Sequence, residues 1–429
     1  MSSRSLRATV QGGSLLGAPR FGAFLRALLT KYRPRYWGRW LRQLTRYDAV
    51  LLPLPVDPVK PDLFLPHAPI AVGDRTSPLP TETGALADLG YEWQGQRKSV
   101  TDFLDSTETD VVLFVHDGAV VGQWFANGWS ADRPHQGWST TKSFVSSAVG
   151  RAFDQGLIGL DDPIERHLPA LTDTAWAGTT IRNILLMRSG VYWDEHTEKL
   201  GENTQVRQWR DHIVDNITGG RRGRTRNEFL AALPRVAPQG QRFTYNSANT
   251  QVLAWLLETV YDEPFNVVLS RQLWQPMGME APANIVTDRT GAALGSQGLY
   301  ATPRDFARLG ELLRRGGMTA DGERVLSDEW VRLATTGMLP ARDADDTHDV
   351  GYGFQWWSGA TPDGFQANGF LGQFITVDPQ ARLTGVRLAH TLQLTRRLRF
   401  AGQGKAEWQT LFRAAADSLS SDPCRGSTG

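Results

Sequence analysis

The chain has 429 residues, of which 41% are hydrophobic and 21% charged, and a formal net charge of +1. That is enough chain for one large or two ordinary domains with a substantial core, and the composition is that of a globular protein. Cys424 is the single cysteine, which excludes a disulfide within the chain and argues against a thiolate metal site. No run approaches the roughly 18 apolar residues of a membrane span, and the start lacks an apolar core followed by a small-residue cleavage site. A cytoplasmic enzyme is the expectation.

Every charged residue before Asp48 is basic, so the rest of the chain is mildly acidic. Residues 20–47 mix Arg20, Arg26, Lys31, Arg33, Arg35, Arg39, Arg42 and Arg46 with Phe21, Phe24, Trp37 and Trp40. Such a segment suits weak contact with an anionic membrane surface, aromatics in the interface and arginines on phosphates. The alternative is two short helices, broken at Pro34, packed on the body of the protein with arginines facing water. The segment holds no nucleic-acid reader motif. Residues 53–80, rich in proline, predict an extended arm without chemistry, and residues 1–90 are taken together as leader and arm.

Val111 to Val115 and Ala119 to Phe125 flank Asp117-Gly118, which predicts a hairpin. Val145, Ala148, Val149 and Ala152 recur at helical spacing, with Gly156 as the C-terminal stop. Asp162-Pro163 predicts an N-cap with proline at the first helical position. Thr180 begins another helix through Ile181, Ile184 and Leu185 that stops at Gly190. Val252, Leu253, Leu256, Leu257 and Val260 mark a third. Arg221 to Arg226 predicts a solvated, mobile loop. A second hairpin pairs Phe374 to Val377 with Leu383 to Leu388 around Asp378-Pro379, and Trp408, Leu411, Phe412, Ala415 and Leu419 form a helical stripe. Strands at both ends and helices in the middle predict an α+β fold: an antiparallel sheet flanked by helices, built from residues 91–142 and 291–429, with a mainly helical domain at 143–290 inserted. The cleft between such lobes is where a site is expected.

Three segments carry chemistry. Ser139 and Lys142 lie three apart, so the amine reaches back to the hydroxyl along one helix face; the plain alternative is an N-cap serine followed by a surface lysine. Phe243 to Thr250 is a polar loop in which the Tyr245 hydroxyl either joins a site or caps the next helix. Ala367 to Gln373 breaks a strand pattern with Gly369 and Gly372, either for close approach to a ligand or as a β-bulge.

Ser139-x-x-Lys142, Tyr245-Asn246-Ser247 and Gly369-Phe370-Leu371-Gly372-Gln373 together resemble, in order and separation, the penicillin-recognising serine hydrolases. More narrowly the chain is similar to the class C β-lactamase-like branch that includes 6-aminohexanoate-dimer hydrolases and related carboxylesterases. Residues 156–163, 185–191, 299–308 and 351–357 support the likeness, which runs from about Tyr91 to Leu419. The resemblance implies a β-lactamase/transpeptidase-like fold and an acyl-enzyme on Ser139, with Lys142 and Tyr245 sharing the proton work. Ionising an isolated tyrosine at pH 7 costs about 4 kcal/mol, and an ammonium a few ångströms away in a partly dry site offsets a cost of that order. The oxyanion donors implied are the backbone N–H groups of Ser139, at a helix start, and of Phe370.

The chain departs from the family where β-lactamases carry Lys-Thr-Gly: here Ala367-Asn368-Gly369 supplies no cation for a β-lactam carboxylate, and Ser247 replaces a frequent asparagine. Little β-lactamase activity is expected. Asn246, Ser247, Gly369, Trp138 and Trp193 are the candidate substrate contacts. The pair Trp356-Trp357 is a further candidate wall, and Asp194, Glu195 and Glu198 lie in a loop expected to be exposed and acidic. The eight histidines show no paired ligand spacing, and there is no nucleophile elbow, phosphate loop or dinucleotide fingerprint, so neither metal nor cofactor is expected. The expected function is hydrolysis of small carboxylic esters or amides, including 6-aminohexanoate-type oligomers. The competing reading is a non-catalytic relative that binds acylated or peptidoglycan-like ligands at a membrane surface, and the intact Ser139, Lys142 and Tyr245 favour the enzyme.

Overall fold

The strand Thr109–His116 is buried along its whole length, and its two-residue alternation sorts the architecture. Val111, Leu113 and Val115 point into one hydrophobic core, while Val112 and Phe114 point into a second, with Trp408, Leu411 and Phe412. A strand with two apolar faces needs a helical layer on each side.

The computed structural model describes residues 66–82, 84–195, 204, 207–208, 223–342, 349–390 and 394–420, with side chains of the last helix from 404 onward. The basic segment 20–47, Glu198, Arg221, Arg222 and Cys424 lie outside the described residues. In chain order the strands are β1 (His67–Ile70), β2 (Gly90–Trp93), β3 (Gln96–Ser99), β4 (Thr109–His116), β5 (Ala119–Phe125), β6 (His135–Gln136), β7 (Ala283–Val286), β8 (Leu299–Ala301), β9 (Leu339–Arg342), β10 (Asp349–Tyr352), β11 (Trp357–Ser358), β12 (Phe365–Gly369), β13 (Gln373–Asp378) and β14 (Leu383–Ala389). The helices are α1 (Val100–Thr107), α2 (Thr141–Asp154), α3 (Ile181–Leu185), α4 (Arg226–Ala231), α5 (Ser247–Tyr261), α6 (Phe265–Leu269), α7 (Pro303–Arg314), α8 (Asp328–Thr335) and α9 (Leu394–Ser420).

The main sheet has eight strands in the order β5-β4-β14-β13-β12-β11-β10-β9. Early strands β4 and β5 thus join a late block through the β4–β14 pairing, where Leu383 faces His116 and Val386 faces Leu113. Helix α7 covers one face, and α1 and α9 the other. A second sheet, β1-β7-β8-β6, runs beside it. Its edge strand β1 comes from the proline-rich arm, so residues 67–70 are part of the body. Both predicted hairpins form. Asp117 and Gly118 take positive φ of 50° and 88° in the first, as a tight turn between twisted strands requires.

Helix α2 is buried on nearly every side, with Phe144, Val145, Ala148, Val149 and Ala152 all at 0% exposure. Its serines give their hydroxyl protons to a facing loop: Ser143 to the carbonyl of Gln355 at 2.8 Å and Ser146 to that of Phe354 at 2.7 Å. Gln355 in turn accepts from Thr250 Oγ1 on α5 at 2.7 Å and donates to the Leu185 carbonyl at 2.7 Å. Gln355 therefore ties three helices together, its backbone carbonyl holding α2 and its side-chain amide holding α3 and α5. Gly150 lets α2 approach α8, since a Cβ there would stand 2.6 Å from Trp330 Nε1. Trp330 is fully buried against Phe153 and Phe354. Gly150→Ala is expected to lose about 1–3 kcal/mol from overpacking despite better helix propensity, read as a lowered midpoint in urea.

Three local expectations are corrected. Asp162 does not cap a helix; its carboxylate accepts from the Gly159 N–H at 2.8 Å, and only a single 3₁₀ turn, Ile164–Arg166, follows Pro163. Helix α3 ends at Leu185, well before Gly190, because Met187 turns left-handed at φ 58°. Gly190 instead provides room for the Ala237 carbonyl, 2.1 Å from where its Cβ would be. Arg226 is not in a solvated loop. It opens α4 behind a Thr225/Glu228 capping box, is 4% exposed, and donates its backbone N–H to Asp288 and its Nε to the Ala292 carbonyl.

Candidate active site

A 3₁₀ turn, Trp138–Thr140, runs directly into α2 and holds Ser139 half-buried at the head of a buried helix. The residue before it, Trp138, adopts φ 48°, a strained state for a tryptophan that persists only where the surroundings impose it. Thr141 helps: its hydroxyl donates to the Trp138 carbonyl at 2.6 Å and accepts from the Leu299 N–H at 3.2 Å.

Lys142 lies one turn on, 2% exposed. Its Nζ donates to Ser139 Oγ at 2.8 Å and to the Ser296 carbonyl at 2.9 Å. Ser139 is therefore not a cap residue and Lys142 is not a surface lysine. Burial pushes the amine down to about 8, partly opposed by the charge of Glu195. Once the ammonium gives up a proton, its lone pair can turn to accept the serine O–H while an N–H still holds Ser296.

Tyr245 sits on the loop before α5, and its ring closes over the amine, with Lys142 Nζ 4.9 Å from the ring centroid. The ring is held by stacking on Trp357 at 5.5 Å and by the edge of Tyr352 at 6.4 Å. The helix cap, the alternative role open to this tyrosine, belongs to Asn246, whose Oδ1 accepts from the Ala248 N–H at 2.8 Å and whose Nδ2 donates to the Val191 carbonyl at 3.0 Å. Both ends of that amide are thus used within the protein. Ser247 is fully buried.

The segment Gly369 to Gln373 is neither strand interior nor bulge but the turn of the β12–β13 hairpin, with Leu371 and Gly372 at φ 67° and 89°. It packs on the Ser139 turn. Glycine is needed at 369 because a Cβ would stand 2.5 Å from the Gly137 carbonyl. Phe370, 44% exposed, sets its ring edge-on to Trp138 at 5.4 Å. Gln373 fixes the turn from behind, donating to the carbonyls of Phe370 at 3.1 Å and Ala389 at 2.6 Å.

The structure thus brings Ser139, Lys142, Tyr245, Trp138, Gly369 and Phe370 into one neighbourhood. Trp193 is buried in the core against Phe229 and donates Nε1 to Glu195 Oε1 at 2.6 Å. Trp356 is core, whereas Trp357 is the surface on which Tyr245 lies. Sequence reasoning missed two partners of Lys142. Ser296 is 154 positions away and contributes a carbonyl, which no side-chain pattern signals. Glu195, expected in an exposed loop, accepts the Ser247 N–H at 2.8 Å and so caps α5 while adding negative charge near the amine. Glu195→Gln keeps the acceptor and removes the charge. The acidic limb of the kcat/KM profile is then expected to move down by a few tenths of a pH unit, about what one partly exposed charge supplies, measured with a p-nitrophenyl ester between pH 6 and 10.

An eight-stranded antiparallel sheet between helical layers, with a helix headed by Ser139 buried beside it, defines the β-lactamase and penicillin-binding class of fold. The chain belongs to the Beta-lactamase family of hydrolases, whose family model matches residues 97–407. A 6-aminohexanoate-dimer hydrolase of Paenarthrobacter ureafaciens is 29% identical over 297 residues, covering 67% of this chain and 74% of that protein. Among solved structures, one from Bacillus anthracis provisionally called a 6-aminohexanoate-dimer hydrolase superposes with a TM-score of 0.72 at 23% identity, covering 84% of this chain and 93% of the other. EstCE1, a hydrolase with promiscuous acyltransferase activity, gives 0.56 at 21% identity, covering 74% and 96%. No described helix is long and apolar enough to cross a membrane.

Proposed function

We propose that this protein is a serine hydrolase that cleaves small carboxylic esters or amides through an acyl-enzyme on Ser139. The observation that carries the reading is the buried Lys142 amine 2.8 Å from Ser139 Oγ, held down to about 8 by burial. Ser139 Oγ adds to the substrate carbonyl as its proton passes to the neutral Lys142 amine. The tetrahedral oxyanion is met by the backbone N–H groups of Ser139 and Phe370. Tyr245, in contact with the ammonium, returns the proton to the departing alcohol or amine, leaving the acyl group esterified to Ser139. Water, activated by the same pair, hydrolyses that ester and restores the serine.

The substrate class follows from two features. The rings of Trp138 and Phe370 meet beside Ser139, which favours an apolar acyl chain. Ala367 and Asn368 lead into the turn without a cation, which disfavours a substrate that needs its carboxylate held there. Short amide oligomers of the 6-aminohexanoate kind and short-chain esters fit, and β-lactams fit poorly.

The test is turnover of p-nitrophenyl acetate, p-nitrophenyl butyrate, a 6-aminohexanoate dimer and nitrocefin, with intact-mass detection of fluorophosphonate labelling. Ester or amide turnover with one label per chain supports the reading. A protein that turns over none of the four and resists the label would overturn it in favour of a binding protein.

A further inference from the structure

The fold assembles a second cluster of chemically active side chains behind the candidate site. Asp110 on β4, His135 on β6 and His390 just past the end of β14 each present one donor atom, all within 4.8 Å of one another. His135 Nε2 lies 2.9 Å from Asp110 Oδ2, and His390 Nδ1 lies 2.6 Å from the same oxygen. Asp110 and His135 are buried, while the His390 side chain is 32% exposed. The three come from segments 25 and 280 positions apart, so no sequence spacing could reveal them.

The hydrogen bonds at His135 are what give this cluster meaning. Its Nδ1 lies 2.9 Å from the Gln136 carbonyl, an oxygen that can only accept, so Nδ1 carries the proton. In the neutral ring Nε2 is then a lone pair, and it faces the Asp110 carboxylate oxygen, also an acceptor. Two lone pairs at 2.9 Å need a proton or a cation between them. A second ring proton would meet that need, at the cost of burying an imidazolium. A divalent cation would meet it with the donor set already in place: a histidine whose far N–H is anchored on a backbone carbonyl is the usual arrangement of a metal ligand, and two imidazoles with one carboxylate are the mixed N/O donors that zinc takes.

We propose that Asp110, His135 and His390 bind one divalent transition-metal ion, with zinc the best match to the donors. Tetrahedral zinc ligands stand about 3.3 Å apart, given bonds near 2.0–2.1 Å, so the two imidazole nitrogens, at 2.9 and 2.6 Å, must each draw back from Asp110 Oδ2 by several tenths of an ångström. His390, the one partly exposed ligand of the three, marks the entry route, with water completing the shell on that side. The Trp129 ring covers both imidazoles, 4.7 Å from His135 and 5.6 Å from His390, which limits access from its direction. Two cations enter the charge balance: the Arg133 guanidinium, 4.6 Å from the Trp129 ring centre, and the buried Arg387 guanidinium, which donates to Thr109 beside Asp110 at 2.8 Å and is attracted by the Asp110 charge.

The site's position gives the ion a structural task. His135 is four residues before Ser139, and His390 follows Ala389, which Gln373 ties to the Phe370 turn. A bound ion would lock the segment that delivers the serine to the strand end that supports the hairpin turn, without touching the reacting atoms.

The experiment uses tag-free, EDTA-treated full-length protein titrated with Co²⁺ and then Zn²⁺, beside His390→Gln and Asp110→Asn, each checked by circular dichroism. Expected are a d–d spectrum saturating at one Co²⁺ per chain, its loss on adding one equivalent of Zn²⁺, and a thermal midpoint several degrees higher with metal, with at least a tenfold weakening in either variant. No saturable Co²⁺ spectrum and no metal-dependent midpoint would overturn the proposal and leave the imidazolium–carboxylate pair as the account of the cluster. Stoichiometric binding that survives unchanged in both variants would overturn it equally.

Discussion

Ser139→Ala is expected to lower kcat/KM for p-nitrophenyl butyrate by about 10³-fold or more and to abolish fluorophosphonate labelling, with the thermal midpoint within a degree or two of wild type. Removing a nucleophile typically costs this much or more, because nothing else in the site can form the covalent intermediate. The fold should not notice. The hydroxyl is half-buried, and Lys142 keeps its bond to the Ser296 carbonyl when Ser139 Oγ is gone. The turn conformation at Trp138 and the two hydrogen bonds of the Thr141 hydroxyl are also untouched. Retention of labelling at wild-type rate would place the nucleophile elsewhere and remove the basis of the proposed mechanism.

Lys142→Met should combine a large loss of activity with unchanged or raised stability. Methionine fills nearly the same volume in the same buried channel, so the packing penalty is small, while loss of a general base typically costs 10²- to 10⁴-fold in rate, a generic range. The stability sign follows from proton binding. The folded-state amine sits at about 8, below its ordinary 10.5, so between those values the unfolded chain holds a proton that the folded chain does not. The wild type's stability from this group therefore rises as pH rises from about 8 to 10.5 and is lost as pH falls through that window. The methionine variant lacks that slope and escapes the cost of a buried ammonium at pH 7. Activity carries the same signature. With the amine at about 8, roughly a tenth is neutral at pH 7, so wild-type kcat/KM should climb about tenfold from pH 7 to a plateau above pH 9, and the residual activity of the variant should be flat there. A rise of similar size in the variant would assign the limb to another group.

Stability and chemistry thus pull against each other at the helix α2. Its all-round burial gives a rigid platform, yet that burial also strands a lysine away from water. The bonds to Ser296 and Ser139 and the face of Tyr245 compensate it only in part, and the uncompensated remainder is what lowers the amine toward the range in which it can act as a base.

What the sequence by itself determined was governed by short-range geometry. The apolar period of residues 145–152 requires a buried helix, and Ser139 and Lys142, three apart at its head, must then share a face. Asp117-Gly118 closes a hairpin because its backbone preferences match strand twist. Where competing local bonds were available the reading failed: Asp162 turned to the Gly159 N–H instead of capping a helix. Tertiary structure alone decided the rest. The Ser296 carbonyl on Lys142, Gln355 joining three helices through its backbone carbonyl and side-chain amide, and the meeting of Asp110 with His390 depend on pairing β4 with β14 and packing α2 against segments over a hundred residues away. The Glu195 cap beside the amine and the Asp110–His135 contact join segments 52 and 25 positions apart. Such contacts arise from closing long loops around a common core, and a carbonyl or a lone histidine carries no local pattern that announces its partner.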